Sequence, residues 1–456
     1  MLALWIGKMA ELLLRLAGRR ATSLPGKIAL RFSPRLLWKL GRKLERCIVI
    51  TGTNGKTTTS ALISGIIGKH EPVINNEEGA NMEQGLASAL IHHVNWFGKL
   101  KCKTAVLEID EATLPMVIDA FPAQIAVVTN VFRDQLDRYG ELDTTVDKIL
   151  TGLKKSEATV LLNGDDPLAR HIGLHSGRPV FYFGMSRENV RDSDRTQIRD
   201  GAFCLECGAA LEYDGFFYGQ LGLYRCPQCD FLRPHPDFMG SFSGDSLELM
   251  QGDLPKVSFQ LPVRGVFNVY NALSAIAAAR VYGLNQAQIQ SGLMEFHSPL
   301  GRMQVYATQP SSILNLIKNP TGCDSVLQAI SAEPGEKVLC VAINDLAADG
   351  RDVSWLWDAD FELVPDSGNF RRCIATGLRA EDMAIRLKYA GYPIDDIDVV
   401  SNLEAGIHAA FSASTELGGL PVFVVTTYTA LYPAAEILRR RQATDDENPQ
   451  YRASVS

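Results

Sequence analysis

Residues 47–67 constrain the chain most. An apolar run, Cys47–Ile50, leads into Thr51-Gly52-Thr53-Asn54-Gly55-Lys56-Thr57-Thr58, and a helical run, Ser60–Ile67, follows. Strand, glycine-rich turn, Lys-Thr and helix in that order make a phosphate loop. The glycines let backbone N–H groups turn inward, and the helix N-terminus adds partial positive charge. Lys56 is placed to reach β- and γ-phosphate oxygens, and the Thr57 hydroxyl to ligate Mg²⁺. Thr53, Asn54, Gly55, Lys56, Thr57 and Thr58 are therefore the expected ATP-binding residues. The loop is a short form: a full-length one would carry glycine at position 50, where Ile50 stands.

A metal ion held by one hydroxyl needs an acid nearby. The run Ala105-Val106-Leu107-Glu108-Ile109-Asp110-Glu111 ends a β-strand with acids at its C-terminal edge, where open α/β sheets bind ligands. Glu108 is the expected metal-facing acid, and Asp110 and Glu111 read as helix caps.

The surrounding pattern alternates short β runs with helical segments, and 456 residues suffice for two or three packed units. Thr104–Ile109, Ala123–Asn130 and Ala158–Asn163 are almost continuously apolar, as parallel strands covered on both faces are. The rhythm breaks over residues 185–256. A strong helix is expected over Gly265–Gly283, and a second βα series follows at Lys337–Ile343, Arg372–Thr376, Ile397–Val400 and Pro421–Thr427. The predicted division is a basic helical segment at 1–46, a central ATP-binding domain at 47–305, a C-terminal α/β domain at 306–440 and a disordered tail at 441–456.

Inside the break, Cys204-Leu205-Glu206-Cys207 and Cys226-Pro227-Gln228-Cys229 form a C-x₂-C…C-x₂-C pattern. This spacing predicts a zinc ribbon over about residues 201–233, with Cys204, Cys207, Cys226 and Cys229 as a closed, structural Zn²⁺ shell. The segment has only Arg225 and Arg233 as bases, too few to track a nucleic acid. Of the remaining cysteines, Cys47 begins a strand and Cys102, Cys323, Cys340 and Cys373 lack a glycine-rich elbow, so all five read as core or surface thiols. Nine cysteines without a secretory signal point to a reducing compartment.

Residues 1–46 carry eleven Lys/Arg against two Asp/Glu, although the whole chain is at −7. Leu4, Met9, Leu12 and Leu16 fall near helical spacing. A basic amphipathic helix results, suited to anionic lipid, to a partner, or to packing on its own domain.

Together these pieces resemble the Mur ligase superfamily, which joins carboxylates to amines with ATP. The resemblance rests on Thr51–Thr58, Gly79-Ala80-Asn81, Glu108, Thr129-Asn130-Val131 with Asp134 and Asp137, Asn268 and Asn271, and Gly301-Arg302-Met303. It implies a central P-loop domain followed by a Rossmann-like C-terminal α/β domain. It also implies that Asn268 contacts the adenine and that Arg302 belongs to the nucleotide site. The cysteine insertion, Gly79-Ala80-Asn81-Met82 and the stretch from Asn344 to Asp358 are similar to the MurT-like subfamily.

That resemblance implies amidation of the α-carboxylate of D-glutamate in lipid II through an acyl phosphate, in the cytoplasm at the inner face of the membrane. Ammonia would come from a GatD-like glutaminase in a heterodimer, with Asp349, or else Asp352, completing the partner's catalytic group. Two departures weigh against amino-acid addition. Leu316-Ile317-Lys318-Asn319-Pro320 replaces the Asp-Tyr-Ala-His-Asn-Pro of many Mur ligases, and Gln135 stands where a histidine is common. Rival expectations are a folylpolyglutamate synthase and a zinc-ribbon NTPase acting as a binding module.

Overall fold

The computed structural model describes residues 1–18, 21–76, 79–133, 142–190 and 200–446. The chain divides into two compact units, residues 1–132 with 141–297 and residues 133–140 with 298–456. Asp134, Gln135 and Asp137 lie outside the described residues.

In the first unit the strands are β1 (Arg46–Thr51), β2 (Val73–Asn75), β3 (Thr104–Glu108), β4 (Ala123–Val128), β5 (Thr159–Asn163) and β6 (Val180–Met185). They continue with β7 (Glu212–Tyr218), β8 (Leu221–Arg225), β9 (Phe238–Ser243), β10 (Ser246–Gln251) and β11 (Val257–Gln260). The main sheet has the order β11-β10-β9-β6-β5-β4-β1-β3-β2. It is parallel from β2 through β9 and closes with an antiparallel meander, β9-β10-β11. Alternation along β1 fixes both faces: Cys47 and Val49 join one core with Ala105 and Leu107, and Ile48 and Ile50 join the other with Val106. Because β1 lies between β3 and β4, the C-terminal ends of three strands meet where the strand order reverses.

The irregular zone is narrower than the sequence suggests. Among the described residues of that zone, the hairpin β7–β8 lies apart from the main sheet, whereas β9–β11 extend it. Residues 1–46 are not a separate segment either. Their helices, Leu2–Leu16, Leu24–Phe32 and Leu36–Gly41, place Leu4, Ala29, Leu37 and Leu40 in the same core as Leu86, Leu90 and Ile91. Ala3, Leu4, Gly7 and Glu11 form the buried face of the first helix. Leu2, Trp5, Met9, Leu12, Leu13 and Leu16 remain exposed, Leu16 by 76%. The apolar set read from spacing is thus split between core and surface. Among the described residues no helix is long and apolar enough to cross a membrane.

The second unit holds β12 (Gln304–Tyr306), β13 (Ser312–Leu316), β14 (Lys337–Ala342), β15 (Phe370–Thr376), β16 (Ile397–Val400) and β17 (Val422–Thr426), in the order β12-β13-β17-β14-β15-β16. All neighbours are parallel except the edge strand β12. The unit begins at Ser298, several residues before the expected boundary at 306. The helix Tyr428–Asp446 continues into the segment expected to be a tail, and 447–456 lie outside the described residues.

Candidate functional site

The loop after β1 is held from the side by the chain leaving β4. Asn54 N–H donates to Asn130 Oδ1 (2.9 Å), and Asn130 Nδ2 returns a bond to Asn54 C=O (3.0 Å). Thr129 Oγ1 donates to the same carbonyl at 2.7 Å. Thr53 N–H reaches Asn130 C=O at 2.9 Å, and Thr53 Oγ1 bonds both backbone groups of Phe132. These contacts commit the N–H groups of Thr53 and Asn54, the Asn54 carbonyl and the Thr53 hydroxyl to the protein.

Gly55 then enters the helix Lys56–Gly68 at φ +85°. A Cβ there would lie 2.0 Å from Asn271 Oδ1, and one at Gly52, with φ +115°, would lie 2.5 Å from Thr129 Oγ1. Both positions therefore require glycine. The first intrahelical bond of this turn is Thr59 N–H to Gly55 C=O at 2.9 Å. The N–H groups of Thr57 and Thr58 precede it and have no acceptor within the helix. Thr58 Oγ1 is buried and has no hydrogen-bond partner among the described residues. Amides at a helix N-terminus and an orphaned buried hydroxyl beside a glycine cradle fit a nucleotide's phosphates.

Lys56 is not idle. Its Nζ donates to Gly52 C=O (2.5 Å) and pairs with Glu111 Oε1 (2.7 Å), both side chains being almost fully buried. Glu111, expected to be a cap, is thus the counter-ion of the loop lysine. Asp110 is not a helix cap either: its Oδ1 accepts from Ala112 N–H at 3.0 Å within the turn, and the helix that follows starts at Leu114 with Thr113 before it. Glu108, at the end of β3, is 2% exposed and accepts from Asn81 Nδ2 at 2.8 Å. Its backbone is clamped by Asn76 at 2.7 and 2.8 Å. The same turn brings Gly79 to the first helical turn, where a Cβ would stand 3.8 Å from Thr57 Oγ1. A carboxylate and a hydroxyl on adjoining elements suit a hard cation such as Mg²⁺.

Asn268 and Asn271 lie in the helix Val266–Tyr282, flanked by Gly265 and Gly283 as the sequence implies. Asn271 Nδ2 donates to Asn268 Oδ1 (3.3 Å), and Asn268 Nδ2 donates to Arg264 C=O (2.9 Å). Arg302 is in the second unit, where its N–H bonds Pro299 C=O at 3.2 Å.

The four predicted zinc ligands converge. Cys204 and Cys229 sulfurs are 3.7 Å apart, those of Cys207 and Cys226 are 3.4 Å apart, and all four lie within 4.8 Å of one another. A tetrahedral Zn–S₄ centre with bonds near 2.3 Å has sulfurs about 3.8 Å apart, so the cluster fits zinc. Tyr224 and Phe231 stack at 5.8 Å beneath it. The insertion also reaches the phosphate loop's support. Gln220, at the turn of the β7–β8 hairpin, donates to Val131 C=O (2.7 Å) and to Asp166 Oδ1 (2.8 Å), while Val131 N–H donates to Asp166 Oδ2 (2.7 Å). Burial pushes the Asp166 carboxyl up to about 7, against the pull of the N–H donors from Val131, Gln220 and Leu168. Arg233, one of the ribbon's two bases, is committed to buried Asp165 at 2.6 Å.

In the second unit, Asp349 is 5% exposed. Its carboxylate accepts from Thr429 N–H (2.7 Å), Thr429 Oγ1 (2.5 Å) and Leu346 N–H (3.1 Å). Asp352 is exposed and accepts from Ser354 N–H at 2.8 Å. Trp355 is core, whereas Trp357 is 55% exposed and meets Tyr389 edge to face at 5.8 Å. Cys47, Cys323, Cys340 and Cys373 are wholly buried, and burial alone pushes the Cys340 thiol up to about 12, so none is an accessible nucleophile.

Comparison with known proteins adds sequence relatives to this geometry. The family pattern described as Mur ligase middle domain matches residues 50–208, and the one described as MurT ligase C-terminal matches 316–431. Over 440 residues the chain is 36% identical to the lipid II isoglutaminyl synthase (glutamine-hydrolyzing) subunit MurT of Staphylococcus aureus (strain COL), covering 96% of this chain and 97% of that one. The subunit of the same name from Streptococcus pneumoniae (strain ATCC BAA-255 / R6) is 35% identical over 454 residues, 98% of each. Among solved structures, a pseudomurein peptide ligase type C from Methanothermus fervidus superposes with a TM-score of 0.67 at 22% identity, over 89% of this chain and 80% of that one. MurF ligase from Thermotoga maritima in complex with ADP gives 0.61 at 14% identity, over 92% and 83%. The structural likenesses establish a Mur ligase fold, and the full-length sequence relatives establish that this chain belongs to the MurT family of Mur ligases.

Proposed function

We propose that the chain is the ligase subunit of a lipid II isoglutaminyl synthase, converting the α-carboxylate of D-glutamate in the stem peptide to the amide of D-isoglutamine. The observation that carries this reading is the end-to-end match to subunits of that name, on a chain whose phosphate loop has the geometry to hold ATP. A carboxylate is a poor electrophile at neutral pH. Transfer of the γ-phosphoryl group gives an acyl phosphate, ammonia attacks the carbonyl carbon, and inorganic phosphate leaves.

The chain's own part is positioning and charge. The N–H groups of the first helical turn cradle the phosphates, and Lys56 leaves Glu111 for the β- and γ-oxygens. Thr57 and Glu108 would hold Mg²⁺, which when bound neutralises charge on the transferring group. Asn268 and Arg302 are assigned to the nucleotide by the family resemblance. Zn²⁺ in the four-cysteine shell would stiffen the insertion whose Gln220 supports Val131.

The nitrogen comes from a partner. With the thiols outside the ribbon buried or nearly so, we assign glutamine hydrolysis to a GatD-like subunit in a heterodimer. Asp349, already oriented by Thr429 and Leu346, is the acid assigned to that subunit's Cys–His pair. Trp357 and Tyr389 offer the exposed aromatic surface that interfaces favour. In this reading the central ATP-binding domain takes in residues 1–46, and the C-terminal α/β domain begins at Ser298 and not at 306. The exposed stripe Leu2, Trp5, Leu13 and Leu16, beside Lys8 and Arg15, is assigned to the headgroup region of an anionic membrane, where lipid II is held.

Four outcomes follow. With the glutaminase subunit, glutamine, ATP and lipid II, mass spectrometry of the product should show amidation, and Lys56→Ala should lower its rate about a hundredfold or more. In the same assay Asp349→Asn should stop turnover on glutamine yet spare turnover on added ammonia; equal loss on both would remove Asp349 from the partner's site. Glu111→Gln strands a buried ammonium, so the nucleotide-free protein should unfold at lower denaturant, by about 3 kcal/mol. Its stabilisation by ATP should exceed the parent's, and an unchanged gain would mean the ion pair does not compete with phosphate. Sedimentation with phosphatidylglycerol vesicles should retain the chain and lose it on Trp5→Glu with Leu13→Glu; binding that survives both changes would refute the membrane assignment.

A further inference from the structure

The helix Pro167–His175 begins at Asp166, whose side chain caps it through Leu168 N–H at 3.0 Å. His171 and His175 stand one turn apart, so their side chains project from one face. The face meets the first knuckle of the ribbon. Glu206, between Cys204 and Cys207, places Oε1 2.6 Å from His171 Nδ1, and both its carboxylate oxygens 3.1 Å from His175 Nε2. The two imidazole centroids are 4.4 Å apart, and the three donor atoms lie within 4.8 Å of one another. They are solvent-reachable, with side-chain exposures of 18% for His171, 45% for His175 and 29% for Glu206.

We infer that His171, His175 and Glu206 form a second divalent-metal site, of the zinc class, separate from the four-cysteine cluster. Two imidazole nitrogens and one carboxylate are a donor set that binds zinc with a fourth position left to water. Ligand atoms around a tetrahedral zinc at bonds near 2.1 Å stand about 3.4 Å apart, so the ion is admitted when Glu206 withdraws by about 0.8 Å from His171, now at 2.6 Å, and by about 0.3 Å from His175, now at 3.1 Å. Exposure supplies the entry path and the water. The site's role follows from its ligands: two come from a helix of the main α/β layer and one from the knuckle, so the metal clips the ribbon to the body that carries the phosphate loop. Leu205, the neighbour of Glu206, already packs against that body's core.

Cobalt titration of the metal-free, reduced full-length chain tests this. Occupation of the cysteine cluster gives thiolate-to-cobalt charge-transfer absorption. The His–Glu site gives only the weaker ligand-field bands of nitrogen and oxygen ligation. The parent should take up a second equivalent that adds ligand-field intensity without further charge transfer, and zinc should displace both. His171→Ala with His175→Ala, and separately Glu206→Gln, should lose the second equivalent while the charge-transfer band, which reports an intact ribbon, stays. A parent that saturates at the charge-transfer phase, or variants that keep the second phase, would overturn the site and leave a plain imidazole–carboxylate contact. Failure of the charge-transfer band itself would count against the cysteine shell instead.

Discussion

Asn54 and Asn130 exchange two hydrogen bonds, and the phosphate loop depends on that exchange. A glycine-rich loop costs backbone entropy to order, and its glycines cannot hold it by packing. The order comes from outside. The chain leaving β4 supplies Thr129, Asn130 and Phe132 as partners, and the insertion supplies Gln220 behind Val131. Asp166 ties these together, since it accepts from both Val131 and Gln220 and also caps the helix that carries His171 and His175. A ribbon remote in sequence from the loop is therefore part of the loop's scaffold.

The proposed function gives the site two electrostatic states. Without a nucleotide, Lys56 is buried with Glu111, and an unpaired ammonium at that depth would be costly. Phosphate offers more negative charge than one carboxylate. Under the proposed function, binding would exchange one counter-ion for another and leave no naked cation. Glu108, by contrast, is fixed by Asn76 and Asn81, which lie outside the phosphate loop, and this suits the metal-holding role proposed for it.

The sequence displayed most of what local chemistry determines. Continuous apolar runs located β1, β3, β4 and β5, because strands covered on both faces have no polar alternation to obscure them. The loop and the cysteine knuckles were legible because each needs particular residues at fixed spacing. What stayed hidden was decided by tertiary neighbours. Glu111 looked like a cap because its partner, Lys56, lies on another strand's loop and is brought near only by the β1–β3 pairing. Helical spacing grouped Leu4 with Met9, Leu12 and Leu16, yet spacing cannot say which apolar face a helix buries, and here the core takes Leu4. Gln220 carried no signal as a single polar residue in a turn. The strands β9–β11 were lost in the irregular zone because they alternate buried apolar residues with partly exposed polar ones, as Leu247, Glu248 and Leu249 do, and carry no continuous apolar run.

The central claim is that the brace, not the glycine motif alone, makes the phosphate site. Calorimetric titration of ATP with Mg²⁺ into Asn130→Ala reads it directly. The account predicts affinity at least about tenfold below the parent's, equivalent to about 1.4 kcal/mol, in a protein whose fold is intact by circular dichroism. Affinity equal to the parent's would contradict it.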